Sequence, residues 1–304
     1  GMTFGGFMAA LRCNELCIPR FLYHVLTSKD FKTHLVSLSD GANINNLKFS
    51  QIENYEISLP PLAEQQRIVA KLDAAFAGID KAIELNDKRT KEVKNLIAKS
   101  QNQLFLSIPE TASAMRLGDV AKFENGDRGK NYPSKKYQID EGIPFVNAGD
   151  FSLDGDIETQ SMVYISEERF NLLGAGKFKI DDVLFCLRGS LGKSAINKSI
   201  EIGAIASSLV ILRAKQNIVS SDYLFAFIRS DIVKNLIAQT AGGTAQPNLS
   251  AKVVSNYEIP VPPLKEQQRL TKKFWFIREK GLVALDRISQ KSQQLFELKA
   301  AILE

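Results

Sequence analysis

The feature of this sequence that most limits its fold is a fourteen-residue stretch that occurs twice in nearly the same form. NYEISLPPLAEQQR begins at Asn54, and NYEIPVPPLKEQQR begins 202 positions later at Asn256. The gap-free similarity starts further upstream, at Gly41 in the first copy and at Gly243 in the second. So long a period excludes a solenoid of short repeats and predicts two copies of a whole module. An approximate two-fold axis would relate the two copies if they are joined in opposite directions.

Each copy continues after a Pro-Pro pair into a long run with a heptad seam, in which apolar or small residues recur at alternating steps of four and three. The first seam consists of Leu72, Phe76, Ile79, Ile83, Asn86, Thr90, Val93, Ile97, Ser100 and Leu104. The second seam consists of Leu270, Phe274, Ile277, Gly281, Leu285, Ile288, Ser292, Leu295, Lys299 and Ile302. As helices, these runs are rods of roughly 65 Å at about 1.5 Å per residue.

An isolated amphipathic rod leaves its apolar stripe in water. We therefore expect the rods, residues 62–106 and 264–304, to pack on each other as an antiparallel coiled coil. The alternative is that each rod lies on its own domain. Polar seam residues such as Asn86 and Ser292 would weaken the pair and fix its register.

Residues 107–263 form the complete module between the rods. Short runs rich in Val, Ile, Leu and Phe, such as IPFVNAGDF from Ile143 and DDVLFCLRG from Asp181, are typical of strands. SDYLFAFIRSDIVKNLIAQT, from Ser221, has a helical pattern, and the Gly-rich AGGTAQPNLS follows as a loop. These elements predict a mixed α/β or α+β domain.

The first 61 residues match only the last part of this module. The counterpart of residues 116–202 would fall before residue 1, so an isolated copy would leave strand edges and an apolar face uncovered. We expect residues 1–61 to be an incomplete module, either truncated or completed by another segment or chain.

The residues do not form a recognisable catalytic constellation. LRGSLGKS resembles a phosphate-binding loop, but Leu187 stands where that motif needs glycine, and GAGKFK has Lys179 in place of its third glycine. The two histidines and three cysteines lack the spacing of a metal tetrad. GxSxG and the Asn/Asp-Pro-Pro-aromatic tetrapeptide of amino-methyltransferases are also absent. We expect no catalytic residue, no metal and no cofactor.

The composition of the chain limits its possible partners and its cellular compartment, but it does not indicate a function. The net charge of +5 over 304 residues permits an anionic partner but does not require one. The sequence has no apolar run of about eighteen residues, which argues against a membrane span. Three cysteines that do not pair evenly fit a reducing cytoplasm.

The PPLAEQQR and PPLKEQQR elements with their following helices resemble those of the specificity subunits of type I restriction-modification enzymes. VLFCLRGSLGKSAI and GGTAQPNLS resemble the same family, and the resemblance covers essentially the whole chain. It implies two target recognition domains, each reading one half of a bipartite DNA site, with an antiparallel coiled coil as spacer. Residues 1–61 would then be a partial first recognition domain and residues 107–263 the second.

The resemblance also implies partners. A specificity subunit has no catalytic residues; it binds double-stranded DNA and methyltransferase subunits, which use S-adenosylmethionine, and through them ATP-dependent translocase-nuclease subunits. Two chains could also pair to rebuild a two-domain reader. Two alternative functions stay open: a coiled-coil scaffold for proteins only, as from a decaying or recombination-donor gene, and an enzyme whose site carries no known motif.

Candidate DNA contacts are cationic, amide, hydroxyl and aromatic side chains in turn-rich loops. They are Arg128, Lys130, Asn131, Tyr132, Lys135, Lys136, Asn147, Arg188, Ser190, Lys193, Thr244, Gln246 and Asn248. Cations neutralise phosphates, and Gln or Asn can bind adenine through two hydrogen bonds. For each loop the alternative is an ordinary solvated turn. In the incomplete module Asn43, Asn45 and Asn46 occupy the loop equivalent to AGGTAQPNLS.

Each rod begins with the tetrad EQQR. The tetrads consist of Glu64, Gln65, Gln66 and Arg67, and of Glu266, Gln267, Gln268 and Arg269. Charged and amide side chains in a first turn can simply cap the helix and meet solvent. The family resemblance instead implies that the tetrads dock a methyltransferase subunit.

Overall fold

The computed structural model describes residues 10–38, 52–109, 112–152, 154–160, 162–241 and 248–302. The chain divides into two compact units, unit 1 (Gly1–Glu92 with Ala284–Glu304) and unit 2 (Val93–Val283). The described helices are α1 (Pro19–Thr27), α2 (Lys29–Ser37), α3 (Leu62–Leu106), α4 (Leu117–Val120), α5 (Glu167–Asn171), α6 (Ser221–Ile228), α7 (Asp231–Ala241), α8 (Ala251–Ser255) and α9 (Leu264–Ala301).

The described strands all lie in unit 2. They are β1 (Ser113–Arg116), β2 (Ala121–Asn125), β3 (Gln138–Ile139), β4 (Ile143–Val146), β5 (Val163–Ile165), β6 (Lys177–Lys179), β7 (Val183–Cys186), β8 (Ser194–Ile196), β9 (Ile202–Ile205), β10 (Leu209–Ala214) and β11 (Glu258–Val261). Two short 3-10 turns, Lys135–Tyr137 and Ala148–Asp150, precede β3 and follow β4.

In unit 1 the helix α1 packs beside the first part of α3, and α2 packs against α1. Ser28 separates α1 from α2, and its Oγ accepts a hydrogen bond from Phe31 N at 3.3 Å, which caps α2. Phe21 and Phe31 are buried. The buried His24 lies 3.0 Å from Asp73 Oδ1 of α3 through its Nε2. Helix α1 therefore meets the rod through the His24–Asp73 contact and through the ring of His24, whose centroid lies 5.6 Å from that of Phe76.

The two rods run antiparallel within unit 1. Asp80 of α3 pairs with Lys299 of α9. Asn86 Nδ2, further along α3, donates to Ser292 Oγ at 3.1 Å, nearer the start of α9. Because the contacts advance along one helix while they recede along the other, the helices point in opposite directions.

Within unit 2 the same two helices pack closely. A Cβ added to Gly281 of α9 would lie 2.3 Å from Cδ1 of Ile97 of α3, so the glycine makes room for the isoleucine. Every predicted seam position in both rods is buried or half-buried. The predicted antiparallel coiled coil is confirmed.

The module in unit 2 is built on stacked sheets. Among the described strands, one sheet has the order β2-β10-β7-β8, a second has the order β3-β5-β4-β9-β6, and β1 pairs with β11. β4 and β9 are parallel, and the other strand pairs are antiparallel. This arrangement agrees with the predicted mixed α/β class.

The core of unit 2 consists of layers on both sides of the β2-β10-β7-β8 sheet. Val210 and Leu212 of β10 belong to the cluster formed with α6, α7 and α8. Leu209 and Ile211, which point the opposite way, belong to the cluster formed with the second sheet. With both faces covered, a strand can be apolar at every position, which explains the continuous runs of β7 and β10.

The structure corrects one helix. The run from Ser221 was predicted as a single helix, but it breaks between Ile228 and Asp231. The side chain of Asn102, on α3, accepts a hydrogen bond from Asp231 N at 2.7 Å and so caps α7. A distant side chain thus fixes where the second helix begins. Within the described ranges, no helix is both long and apolar enough to cross a lipid bilayer.

Candidate nucleic-acid interface

The loops with predicted DNA contacts come largely to one edge of the two stacked sheets. Strands β2, β4, β7 and β9 end at this edge, and β6, β8 and β10 begin there. We call the segments 125–128, 146–150, 174–177, 186–194 and 205–209 the loop edge. Its position follows from strand pairing between segments that are far apart in sequence.

The turn at 206–208, between β9 and β10, connects three of these loops. Arg128 Nη2 donates to Ser207 O at 3.2 Å. Leu187 N donates to Ser208 O at 2.8 Å, and Ala206 N donates to Val146 O at 2.8 Å. The loops that carry Arg128, Asn147 and Arg188 therefore meet around one short turn.

The turn at 187–193 exposes Arg188 and Ser190. Gly189 and Gly192 both have φ of +77°, a conformation that favours glycine. Cys186 Sγ donates to Arg188 O at 2.9 Å, and burial raises the pKa of this thiol, which keeps its proton available for the bond. The backbone under Arg188 is thereby fixed while its side chain faces solvent.

Asn248 joins the same edge. It forms an isolated antiparallel bridge with Arg188, and Leu249 N donates to Leu187 O at 3.0 Å. Asn248 is exposed. Thr244 and Gln246, and also Asn43, Asn45 and Asn46, lie outside the described residues, so their predicted contacts stay predictions.

The side chain of Asn147 is used inside its own turn. Its Oδ1 accepts from Gly149 N at 2.7 Å, and Asp150 Oδ2 accepts from Asn147 N at 2.8 Å. Burial raises the pKa of the Asp150 carboxyl. Lys193 Nζ donates to Ala148 O at 2.8 Å. Asn147 and Lys193 thus make internal bonds at the loop edge.

The cationic loop at 128–136 does not remain together at the loop edge. Arg128 lies there, and Lys130 is exposed. Asn131 Nδ2 donates to Leu172 O at 2.9 Å, and the ring of Tyr132 packs edge-on against Phe145, with 5.9 Å between ring centroids. The loop therefore crosses the outer face of the β3-β5-β4-β9-β6 sheet.

The exposed Lys135 and Lys136 lie at the far end of that crossing, in the turn before β3. Arg169 of α5, which the sequence did not single out, lies with its guanidinium 3.5 Å from the centroid of the Tyr137 ring. Lys136 and then Arg169 lower the pKa of Tyr137. Arg169 carried no motif that could have marked it, because only the folded chain brings α5 beside Tyr137.

A fixed negative charge lies beside Arg128. Asp127 accepts hydrogen bonds from Gly129 N at 2.6 Å and from Gly174 N at 2.8 Å. The Gly129 N–H, followed by those of Gly174 and Arg128, lowers the pKa of the Asp127 carboxyl. The neighbouring Gly126 allows close backbone approach, because an added Cβ would lie 2.4 Å from Ala206 O.

One amide of each EQQR tetrad is buried. Gln65 is 0% exposed; its Oε1 accepts from Ile18 N at 2.9 Å, and its Nε2 donates to Leu16 O at 2.9 Å and to Pro60 O at 2.8 Å. These bonds join the segment before α1 to the start of the rod α3.

Gln267 repeats this arrangement in unit 2. It is also 0% exposed; its Oε1 accepts from Ser220 N at 3.0 Å, and its Nε2 donates to Ile218 O and Pro262 O, both at 2.9 Å. Each residue is the counterpart, 202 positions on, of one in the first copy. We call Gln65 and Gln267, with their three backbone partners, the two joints.

The other tetrad residues remain at the surface. Glu64 pairs with Arg67 and Glu266 pairs with Arg269, each with an Nε–Oε2 distance of 2.7 Å. The arginine lowers the pKa of the glutamate in each pair. Gln66 and Gln268 are exposed. The surface that a partner could reach thus excludes the two buried amides.

Known proteins are similar to this chain in sequence and in fold. The family model for the type I restriction modification DNA specificity domain matches residues 3–95 and 109–274. The EcoKI specificity subunit of Escherichia coli K12 is 25% identical over 297 residues, which are 89% of this chain and 61% of that protein. The EcoBI specificity subunit of Escherichia coli is 22% identical over 277 residues, 84% of this chain and 57% of that protein. The chain therefore spans about three fifths of the length of these relatives.

A solved chain from a type I R-M system has the same fold, with a TM-score of 0.79, 23% identity, and coverage of 96% of this chain and 72% of that chain. The antiparallel rods are the part of this fold that the sequence repeat predicted, whereas the burial of Gln65 and Gln267 in the joints was not predicted. From its match to the family model over most of its length, the chain belongs to the family of type I restriction modification DNA specificity domains.

Proposed function

We propose that this chain is the DNA-recognition subunit of a type I restriction-modification system and that it reads DNA through the loop edge of unit 2. The observation that carries the proposal is the meeting of Arg128, Arg188 and Asn248 around the turn at 206–208. Arginine can bind guanine, and asparagine adenine, through two hydrogen bonds in the major groove. These three side chains lie on loops whose backbones are joined by hydrogen bonds, and such an arrangement suits the recognition of a DNA sequence.

The remaining predicted contacts are divided in this proposal between bases and phosphates. Thr244 and Gln246 precede Asn248 closely in sequence, and we place them among the base contacts. Lys130, Lys135 and Lys136 are exposed cations and suit phosphates. Residues 107–263 are then the second target recognition domain, and residues 1–61 are part of the first.

The rods supply the spacer, and the chain supplies no catalytic group. The antiparallel pair of α3 and α9, joined by the Asn86–Ser292 and Asp80–Lys299 contacts, would act as the spacer between two readers. Methyltransferase subunits would dock near the exposed tetrad residues Gln66, Arg67, Gln268 and Arg269, and restriction subunits would join through them. The assembled complex would be an adenine methyltransferase and an ATP-dependent endonuclease.

The test is DNA binding by the full chain, alone and with methyltransferase subunits. Duplexes selected from a random pool should share one sequence, and the logarithm of the binding constant should fall linearly with the logarithm of salt concentration. Arg188→Gln should weaken binding of the selected duplex about tenfold or more, since a good bidentate contact is worth about 1–3 kcal/mol. Lys215→Gln is the matched control, because Lys215 is exposed beyond the opposite end of β10.

Failure to bind any duplex at low salt, with or without methyltransferase subunits, would overturn the proposal. Equal losses from Arg188→Gln and Lys215→Gln would instead remove the loop edge as the reading surface.

A further inference from the structure

We infer that Lys193 is a positioning residue. Its ammonium fastens the turn at 187–193 to the turn at 147–150 and so determines which bases the loop edge can reach, without contacting phosphate itself. This inference rests on the proposed function, and it changes the role that the sequence suggested for Lys193.

The ammonium has a fixed acceptor inside the module. Lys193 Nζ donates to Ala148 O at 2.8 Å, and the lysine is half-buried. Ala148 lies in a turn closed by a capping box between Asn147 and Asp150. Because both ends of that turn are hydrogen-bonded, its carbonyl cannot move freely away from the lysine.

The buried carboxylate of Asp150 also favours the inward position of the Lys193 ammonium. Asp150 is 4% exposed, and burial raises the pKa of its carboxyl, whereas the Asn147 N–H and then the charge of Lys193 lower it. Burying a carboxylate is costly unless an opposite charge lies near it. Moving Lys193 out to a phosphate would remove that compensating charge.

The backbone of Lys193 anchors the root of the turn that carries Arg188. Lys193 O accepts from Cys186 N at 2.9 Å, and Lys193 N donates to Ser190 O at 3.1 Å. Arg188 and Ser190 lie at the exposed tip of the turn. A bond at the root therefore sets the separation between the tip and the turn at 147–150.

The first measurement compares salt dependence with base discrimination in the full chain. Lys193→Met should leave the salt slope, that of the logarithm of the binding constant against the logarithm of salt concentration, unchanged. It should lower the ratio of the affinity for the selected duplex to that for its single-base variants about tenfold, since a mismatch costs about 1–3 kcal/mol in an intact reader. Lys193→Arg, which keeps a cationic donor, should restore most of that ratio.

The comparison variant is Lys130→Met, which removes an exposed cation from the neighbouring loop. It should reduce the salt slope by about 0.9, the value for one phosphate, with the discrimination ratio intact. If Lys193→Met behaves in this way instead, Lys193 is a phosphate contact and the inference is wrong.

The second measurement needs no DNA. Hydrogen exchange at the amides of Gly149 and Asp150 should be several-fold faster in Lys193→Met than in the wild type and unchanged in Lys130→Met, because exchange follows local opening. Unchanged exchange in Lys193→Met would overturn the fastening contact. If the wild type binds no duplex, the proposed function fails together with the role in base reach, and faster exchange would still support the contact itself.

Discussion

The two copies of the repeat share a joint and differ in the packing beside it. In the first copy Asp73 accepts hydrogen bonds from Arg20 and His24, each at 3.0 Å. In the second copy the counterpart of Asp73 is Trp275, whose Nε1 donates to Asp222, the counterpart of Arg20, at 3.1 Å. The same two positions therefore interact in both copies, with donor and acceptor exchanged between helix and rod.

The aromatic side chain beside this pair also differs between the two copies in its exposure to solvent. Phe225 is fully buried and stacks on Trp275, with ring centroids 5.8 Å apart. Its counterpart in the first copy, Tyr23, is 52% exposed and has the guanidinium of Arg20 over its ring. The joint and the adjoining Glu–Arg pair are the same in both copies, whereas the neighbouring contacts follow the surroundings of each copy.

The largest expected effect tests the joints. Gln267→Met keeps the shape of the side chain but leaves three backbone groups without partners, and we expect the free energy of unfolding to fall by about 3 kcal/mol. Gln268→Met, at the exposed neighbouring position, should change it by less than about 0.5 kcal/mol. Denaturant unfolding measures both.

Gln65→Met extends this test to the first copy. It should produce a loss similar to that of Gln267→Met, because the same three kinds of bond are removed. A loss from Gln267→Met with none from Gln65→Met would show that the two joints are not equivalent.

A second prediction compares a glycine from each rod. A Cβ at Gly78 of α3 would meet nothing within 4 Å, but one at Gly281 of α9 would meet Ile97. Gly78→Ala should stabilise the protein by about 0.5–1 kcal/mol through helix propensity. Gly281→Ala should destabilise it by about 1 kcal/mol, because overpacking exceeds that gain.

Thermal unfolding of both variants provides the measurement. Ile97→Val combined with Gly281→Ala should recover part of the loss. Stabilisation of similar size by both single substitutions would mean that the rods do not pack closely at Gly281.

A third prediction concerns the polar seam contact in unit 1. Asn86→Leu removes the bond to Ser292, and we expect a gain of about 1 kcal/mol in stability with a less uniquely defined register. A disulfide formed in the double variant Asp80→Cys, Lys299→Cys reports the register. Its yield should drop when Asn86→Leu is added; an unchanged yield would assign the register to other contacts.

The smallest expected effect is on pH dependence. Arg20, followed by His24, lowers the pKa of Asp73. The resulting stability is complete above the usual carboxyl range near about pH 4 and is lost as the pH falls through the lowered pKa. The difference in melting temperature between the wild type and Asp73→Asn should therefore shrink in acid.

Arg20→Gln should flatten the same pH dependence, since it removes the main cause of the shift. A difference that stays constant from neutral pH to about pH 2 would contradict the pairing.

The sequence predicted the rods more completely than it predicted the loop edge. The heptad spacing placed the rods at 62–106 and 264–304, close to the observed Leu62–Leu106 and Leu264–Ala301. The sheets were harder: IGAI of β9 and KFK of β6 are short and give little periodicity. These strands exist because they pair with each other and with β4 across long intervals of chain.

Side-chain roles at the candidate site depended even more on distant partners. Gln65 looked like a solvated first-turn residue, but it is buried, and the segment at 16–18 supplies two of its three bonds, with Ile18 47 residues away. Arg188 kept its predicted exposure, whereas Lys193, a few residues on, makes an internal bond to Ala148. Residue type and local turn chemistry cannot distinguish these two cations.

The sequence by itself determined that a module and a rod occur twice and that the two rods pair in opposite directions. Periodicity and repetition are properties of the sequence itself, and both can be recognised without knowing the fold. Only the tertiary structure decided which loops meet at the loop edge, which amides are buried in the joints and which lysine faces inward. Those outcomes depend on strand pairing and burial between segments far apart in the chain, where each polar group must find whatever partner the folded surroundings provide.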